Sequence, residues 1–418
     1  MPSVVHFAYL DSVGGSGRSA FRIHTGLRAH GFDSRMLVGK KHSRDADVQV
    51  LGGRPAHLGF LLDRAGRVAS DVTGLQDVLI PSSLWLHHHP WVRRAEVLQF
   101  FNTWGGFVSF TALARLSRGR PVVWRLSDQW LFTGHCIYTY GCDRWLTGCG
   151  HCPQVRGERA LPFDTSGLLW RLKDRVFRQA NLVIVAPSRW ILDQARRSPL
   201  IGRFPVHHIP NGVDTSLFRP MRAEARAALG IDPAVKVVVF AAHELGKDRK
   251  GGHLLRGAME ALPDLPGATL LLLGEGTPRL PALPGWQVTR IEYTGDEARL
   301  ASVFAAADVM ASPSLADNFP NTVLESLASG TPVLAFDVGG VGEAVRHMET
   351  GYLARPENPA DLAAGLRLLL QDDQLRGRLG SRAREVAVAE FAKELELERF
   401  MALYGSLDEK LKAPSTET

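Results

Sequence analysis

The residues best suited to do chemistry lie between Ser312 and Gly340, where two carboxylates, Asp317 and Glu325, stand eight positions apart. An apolar run ends at Ser312, a loop carries Asp317, and a helix is expected to open near Pro320. Proline suits a first helical turn because its missing N–H would be unpaired there anyway. The free N–H groups of that turn, together with the helix dipole, favour a bound diphosphate. From one turn into the helix, Glu325 can accept bonds from two ribose hydroxyls, while Asp317 in the loop can reach the hydroxyls of a sugar. Gly330 then closes the helix, and Thr331-Pro332 opens the next strand. An ordinary strand-loop-helix of an unrelated α/β protein is the alternative.

A second turn, Gly14-Gly15-Ser16-Gly17 with Arg18 beside it, sits between a strand-like and a helix-like stretch. There the backbone can approach a phosphate or an acceptor closely, although a plain tight turn reads the same way. The spacing is not G-x-G-x-x-G, so no NAD site is expected. The four cysteines, Cys136, Cys142, Cys149 and Cys152, fall in one short segment with His135 and His151 beside the first and last. Where disulfides are disfavoured, so dense a thiol cluster suits a structural tetrahedral Zn²⁺; buried reduced cysteines and redox pairing are the other readings.

Strand-helix alternation must position these groups. Val4 to Tyr9, Arg35 to Val38, Pro121 to Leu126 and Leu182 to Ala186 read as strands of one series. Val237 to Phe240, Thr269 to Leu273, Val309 to Ala311 and Pro332 to Phe336 read as strands of another. Such alternation implies parallel sheets covered on both faces, so the expected class is α/β with two doubly wound, Rossmann-like domains facing across a cleft. The expected boundaries are 1–210, with the Cys-rich insertion at 133–153, and 211–390, the linker lying near Pro210 to Pro220. A C-terminal helix over 391–418 is expected to return to the first domain, with a disordered tail from Pro414. Ligands of doubly wound sheets bind beyond the carboxyl ends of the strands, which puts the expected site in the cleft.

The length of 418 residues suits two cores, and 45% apolar with 22% charged residues is ordinary globular composition. No run is long and apolar enough to span a bilayer, and Met1 to Val5 reads directly as a strand without a basic leader. A cytoplasmic protein is expected. The net charge of +6 conceals an asymmetry: through Pro210 there are 27 basic against 14 acidic residues, and beyond it 22 against 29. The first half is thus suited to an anionic partner, or merely carries a solvated basic face. Leu168 to Arg178 has Leu169, Leu172, Val176 and Phe177 on one helical face beside Trp170, with Arg171, Lys173, Arg175 and Arg178 around it. That pattern suits peripheral contact with an anionic membrane surface, assisted by Trp85 to Arg94; a helix packed on its own sheet is the alternative.

The Asp317–Glu325 segment resembles the acidic-x7-acidic motif of retaining glycosyltransferases of family 4, which have the GT-B fold; this chain has Asp where Glu is usual at the first position. Asn318-Phe319-Pro320-Asn321-Thr322 is similar to the exopolysaccharide and colanic-acid branch, and these residues are implied donor contacts. Ile209-Pro210-Asn211-Gly212-Val213-Asp214, Leu272 to Gly276 and Val338 to Glu343 resemble further family pieces. The resemblance implies that Lys250, with Arg249 or Lys247 in place of the usual upstream arginine, neutralises the leaving diphosphate. A solvated basic loop is the plainer reading of that run. It also points to Asp128, in a stretch where relatives commonly carry Leu-His-Asp and this chain has Ser127 before Asp128; His135 is the nearby replacement considered. Trp104 takes the place of a family histidine before Gly105-Gly106, where it would stack on a sugar or belong to the core.

What the resemblance implies is a glycosyltransferase moving a sugar, with retention, from a nucleotide-sugar donor to a glycan or lipid-linked glycan acceptor in surface-polysaccharide synthesis. No side-chain nucleophile, general base or catalytic metal is implied, and the Cys loop is expected to border the acceptor. A scaffold that binds nucleotide sugars and a GT-B-fold epimerase are the competing readings. A zinc-bearing nucleic-acid binder leaves the Asp317–Glu325 segment unexplained, so no nucleic-acid partner is expected.

Overall fold

The computed structural model describes residues 1–51, 58–262, 267–276, 283, 285–292 and 295–412. The expected tail from Pro414 lies outside them. Two compact units are present, one of Met1–Ile209 together with Leu397–Thr418, the other of Pro210–Glu396.

The first unit is built on a seven-stranded sheet: β1 (Val4–Leu10), β2 (Ser34–Lys40), β3 (Val48–Val50), β4 (Val97–Phe100), β5 (Val122–Arg125), β6 (Leu182–Ala186) and β7 (Val206–His208). The order is β3-β2-β1-β4-β5-β6-β7 and every pairing is parallel. Central strands such as β6, with the sequence Leu-Val-Ile-Val-Ala, are buried throughout. Continuous apolar runs of this kind are what a sheet covered on both faces requires, each fully buried aliphatic side chain contributing about 1.5–3 kcal/mol. The last described helix, Lys393–Lys412, sends Phe400, Leu403, Tyr404 and Leu407 into the same core as Val4, Ile23 and Leu27. Within that core the Tyr404 hydroxyl donates to Oε1 of Gln99 at 2.9 Å. The amide thereby gains a partner in the middle of β4, where it would otherwise be a costly buried polar group.

The second unit carries β8 (Val237–Glu244), β9 (Ala268–Glu275), β10 (Trp286–Ile291), β11 (Val309–Ser312), β12 (Val333–Phe336) and β13 (Gly351–Ala354), in the parallel order β10-β9-β8-β11-β12-β13. Both sheets are thus doubly wound and Rossmann-like. Chain direction across the sheet reverses between β1 and β4 in the first unit and between β8 and β11 in the second. The crevice at such a switch point, outside the carboxyl ends of the strands, is where open α/β sheets take their ligands.

The basic amphipathic segment forms the helix Ser166–Phe177, with Leu169 and Phe177 buried in the unit. Lys173, expected on the polar rim of that helix, is instead buried. Its Nζ donates to the carbonyls of Trp130 at 2.6 Å and Thr133 at 2.9 Å, and lies 3.9 Å from the centre of the Trp130 ring. Burial draws its pKa down to about 7. Of the expected apolar face, Leu169 and Phe177 thus pack into the protein, while Leu172 and Val176 are half-buried. Among the described residues no helix is long and apolar enough to cross a membrane.

Candidate active site

At the switch point of the second sheet, the loop after β8 meets the loop after β11. The first carries Arg249 and Lys250, the second Asp317. Lys250 Nζ lies 2.6 Å from Asp317 Oδ2, and Arg249 Nη1 lies 3.8 Å from the same oxygen. Arg249 also donates to the Ala316 carbonyl at 3.1 Å, while Leu315 N donates to the Arg249 carbonyl at 2.8 Å, so the two loops are laced together. Asp317 is buried, and burial alone would raise its pKa. Lys250 and Arg249 outweigh that effect and hold the carboxyl below the usual range, so it is ionised at neutral pH. Two cations against one carboxylate leave this corner with a net positive charge.

Two glycines make the approach possible. Gly251 has φ +69°, and a Cβ on it would stand 1.8 Å from the Pro313 carbonyl oxygen. Gly339, φ +58°, backs onto the other side: its Cβ would stand 1.8 Å from the Asp317 carbonyl oxygen. Any side chain at either position would push the Asp317 loop out of place, and L-residues resist that backbone region besides.

The helix that follows runs Asn321–Ala328, with Pro320 at its N-cap, one residue before the expected position. No side chain caps it; the backbone N–H groups of Val323 and Leu324 turn back to the Pro320 carbonyl at 3.1 and 3.5 Å, and this is the end of the helix that attracts anions. Glu325 is buried four positions after Asn321, on the same helical face. Asn318 and Phe319 are buried, Phe319 against the ring of Phe391, whereas Pro320 and Thr322 are half-buried. Asn211 has a role that the sequence did not disclose. Its Nδ2 donates to the Phe319 carbonyl at 2.8 Å and to Asn321 Oδ1 at 2.9 Å, fixing the entry to the helix. Lys247, considered as the second cation, points elsewhere; it is exposed and pairs with Glu244 at 3.3 Å. Arg249 takes that place.

In the first unit the residues singled out form a different network. Gly14 opens the helix Gly14–Ala29 directly after β1, and Ser16 Oγ lies 3.3 Å from Ser127 Oγ, so the glycine turn and the loop after β5 adjoin. Gly15 is in the same turn. Asp128 accepts from Trp104 Nε1 at 2.7 Å, from the Trp130 backbone N–H at 2.9 Å and from Asn102 at 3.4 Å. Trp104 is half-buried, with the Arg159 guanidinium 4.9 Å from its ring centre. Its place under an arginine and beside a carboxylate serves the network, and leaves it at most one side for stacking on a sugar. The organising group is Asp77, unmarked by any motif. It accepts from the backbone N–H groups of Gly105 and Gly106, each at 2.8 Å, and pairs with Arg159 at 2.8 Å.

His135, considered as a replacement donor contact, belongs instead to the cysteine cluster. Its Nε2 is 3.2 Å from Cys152 Sγ and its Nδ1 is 3.0 Å from the Arg159 carbonyl. The potential ligand atoms of His135, Cys136 and Cys152 all lie within 4.8 Å of one another, and Cys142 and Cys149 line the same small cavity.

Residues 235–372 match the family model described as Glycosyl transferases group 1, which covers the site in the second unit. Among curated proteins, the chain is 40% identical over 191 residues to a D-inositol 3-phosphate glycosyltransferase of Nocardia farcinica, covering 42% of each chain. It is 30% identical over 219 residues to a putative colanic acid biosynthesis glycosyl transferase of Escherichia coli, covering 51% of each. The chain thus spans about half the length, or less, of these curated relatives. Among solved structures, the sucrose-phosphate synthase of Thermosynechococcus elongatus superimposes with a TM-score of 0.73 at 20% identity, covering 98% of this chain and all of that one. The Anabaena protein HepE, solved in complex with UDP and glucose, gives a TM-score of 0.70 at 17% identity over 97% of this chain and all of that one. The fold is GT-B.

Proposed function

We propose that the chain is a glycosyltransferase that binds a nucleotide-sugar donor in its second unit and passes the sugar, with retention, to an acceptor hydroxyl. The observation that carries this reading is the conjunction at the β8/β11 switch point of Arg249, Lys250 and an ionised Asp317 beside the uncapped helix that bears Glu325. A nucleoside diphosphate brings negative charge to a corner that already holds net positive charge and the positive end of a helix dipole. Glu325 is assigned to the ribose hydroxyls. Asp317 is assigned to the sugar hydroxyls, since a carboxylate has lone pairs to spare beyond those turned to Lys250 and Asn318. Asn318, Phe319, Pro320, Asn321 and Thr322 shape the rest of the pocket.

In the step itself, the bond from the anomeric carbon to the diphosphate oxygen breaks and the acceptor oxygen bonds to that carbon from the same face. The acceptor proton passes to the departing phosphate, so the chain supplies charge stabilisation and position rather than a base. UDP and glucose in HepE favour a nucleotide-sugar donor. The matched relatives differ in acceptor, an inositol phosphate in one and colanic acid synthesis in another. Within that range we favour a glycan acceptor of a surface polysaccharide, on the likeness of the Asn318–Thr322 segment.

The test is a thermal-shift panel of nucleotide sugars and nucleoside diphosphates on the wild type and Glu325→Ala. One donor should raise the wild-type midpoint, by about 2.7 kcal/mol of stabilisation at a hundredfold excess over Kd, and leave the variant unmoved. Silence of the wild type at millimolar ligand would sink the donor site and leave a scaffold. Sugar conversion without any acceptor would make the protein an epimerase.

A further inference from the structure

The cysteine loop of the first unit has no part in the donor chemistry, yet it gathers more metal-binding atoms than any packing role needs. Nitrogen and sulfur atoms of His135, Cys136 and Cys152 converge within 4.8 Å. Cys149 faces the same cavity of about 20 Å³, which has room for little more than one ion or one water. Its Sγ accepts from the Gly134 backbone N–H at 3.3 Å, and Cys152 Sγ accepts from the Gln154 N–H at 3.4 Å. These backbone donors fix where the two sulfurs point.

The imidazole is oriented as a ligand. The Arg159 carbonyl can only accept, so the 3.0 Å contact requires the proton on Nδ1. In the neutral ring this leaves a lone pair on Nε2, the atom that points at the sulfurs. A backbone carbonyl behind the distal nitrogen is the usual outer partner of a metal-bound histidine. Cys149 and Cys152 have the C-x-x-C spacing, and Cys149 holds φ +57°, a conformation that persists only where its surroundings fix it.

We infer that His135, Cys136, Cys149 and Cys152 bind one structural Zn²⁺ ion. Three soft thiolates and one imidazole around a closed, tetrahedral site select zinc, and binding releases the thiol protons. This set differs from the four-cysteine expectation: His135 enters on its convergence with Cys136 and Cys152, and Cys149 is preferred to Cys142 for its C-x-x-C spacing from Cys152. The ion would also hold the network around Asp77 and Asp128 in place. His135 is bonded to the backbone of Arg159, whose guanidinium pairs with Asp77 and covers Trp104, and Trp104 in turn donates to Asp128.

The experiment uses the full chain, purified under reducing conditions without chelator. Metal analysis should find one zinc per chain. X-ray absorption at the zinc edge should show three sulfurs at about 2.3 Å and one nitrogen at about 2.0 Å. His135→Ala and Cys149→Ser should lower zinc affinity by more than the roughly 10–100-fold that loss of an outer partner produces, and Cys142→Ser should leave it unchanged. Absence of zinc from the native protein, with none taken up from zinc-buffered solution, overturns the site. An all-sulfur shell in the wild type, a measurement that does not depend on any variant folding, overturns the place given to His135.

Discussion

Replacing Gly251 by alanine tests the donor site through the backbone that builds it. Gly251 (φ +69°) and Gly230 (φ +66°) share one conformation, but only at Gly251 would a Cβ meet another group, the Pro313 carbonyl oxygen at 1.8 Å. At Gly230 nothing lies within 4 Å. Both substitutions incur the left-handed penalty of about 1–2 kcal/mol. That corresponds to a loss of roughly 2–8 °C in a unit of this size. Gly251→Ala alone adds the clash. Real Cβ contacts essentially never fall below 3.0 Å, so the loops bearing Lys250 and Asp317 must part by more than an ångström. That breaks the 2.6 Å contact between them. Misplacing a positioning group by about 1 Å can cost on the order of 100-fold. Calorimetric titration with nucleoside diphosphates, alongside thermal melting, should therefore find Gly230→Ala slightly less stable with wild-type affinity, and Gly251→Ala weakened by about 100-fold. Equal affinities in the two variants, or equal losses, would refute the claim that this close approach builds the site.

Two further expectations concern the first unit. His24 is fully buried, bonded through Nδ1 to Ser34 Oγ at 2.8 Å, with Asp45 and Arg28 as its charged neighbours and the buried His6 on the same hydroxyl. Burial lowers its pKa from 6.5 to about 4, so between those values the unfolded chain binds the extra proton and stability falls as pH falls, by up to about 3 kcal/mol. Melting midpoints recorded from pH 7 to 5 should drop, and His24→Gln should flatten the slope; parallel slopes would count against it. Asp77→Asn leaves the largely buried Arg159 without its carboxylate, a change expected to cost about 3–5 kcal/mol. Its melting midpoint should fall by several degrees, and an unchanged midpoint would count against Asp77 as the group that organises this network.

Legibility in the sequence followed burial. Strands in the middle of a sheet, such as β6 and β8, announce themselves as unbroken apolar runs, because both of their faces are covered. The edge strands β3, β7, β10 and β13 do not. In β10 the sequence Trp-Gln-Val-Thr-Arg-Ile has four exposed residues between its buried ends. Central β4 was hidden differently: Gln99 interrupts four residues preceded by Arg93, Arg94 and Glu96, and the bond from Tyr404 that makes the amide tolerable comes from 305 residues away. Lys173 misled for the related reason that a helical pattern cannot show two carbonyls and a Trp130 face waiting inside. For the candidate site, Arg249, Lys250 and Asp317 could be picked out from their segments, whereas the clamp by Asn211 spans 110 residues to Asn321 and had no local signal.

The difference between the two networks has a physical origin. A ligand at a helix N-terminus is held by groups the chain must supply in sequence: a strand end, a loop carboxylate, an uncapped first turn and glycines where loops touch. Such a site is written locally, so its motif survives as a readable string. The first-unit network has no such constraint. Asp77 can hold Gly105, Gly106 and Arg159, and Trp104 can reach Asp128, from any set of loops that the sheet brings together. Its geometry is fixed by tertiary contacts, and its side chains can be exchanged wherever the replacement closes the same bonds. Ser127 and Trp104 therefore lie in a part of the molecule whose bonds other side chains could close, while the Asp317 loop, wedged between Gly251 and Gly339, has almost no room to change.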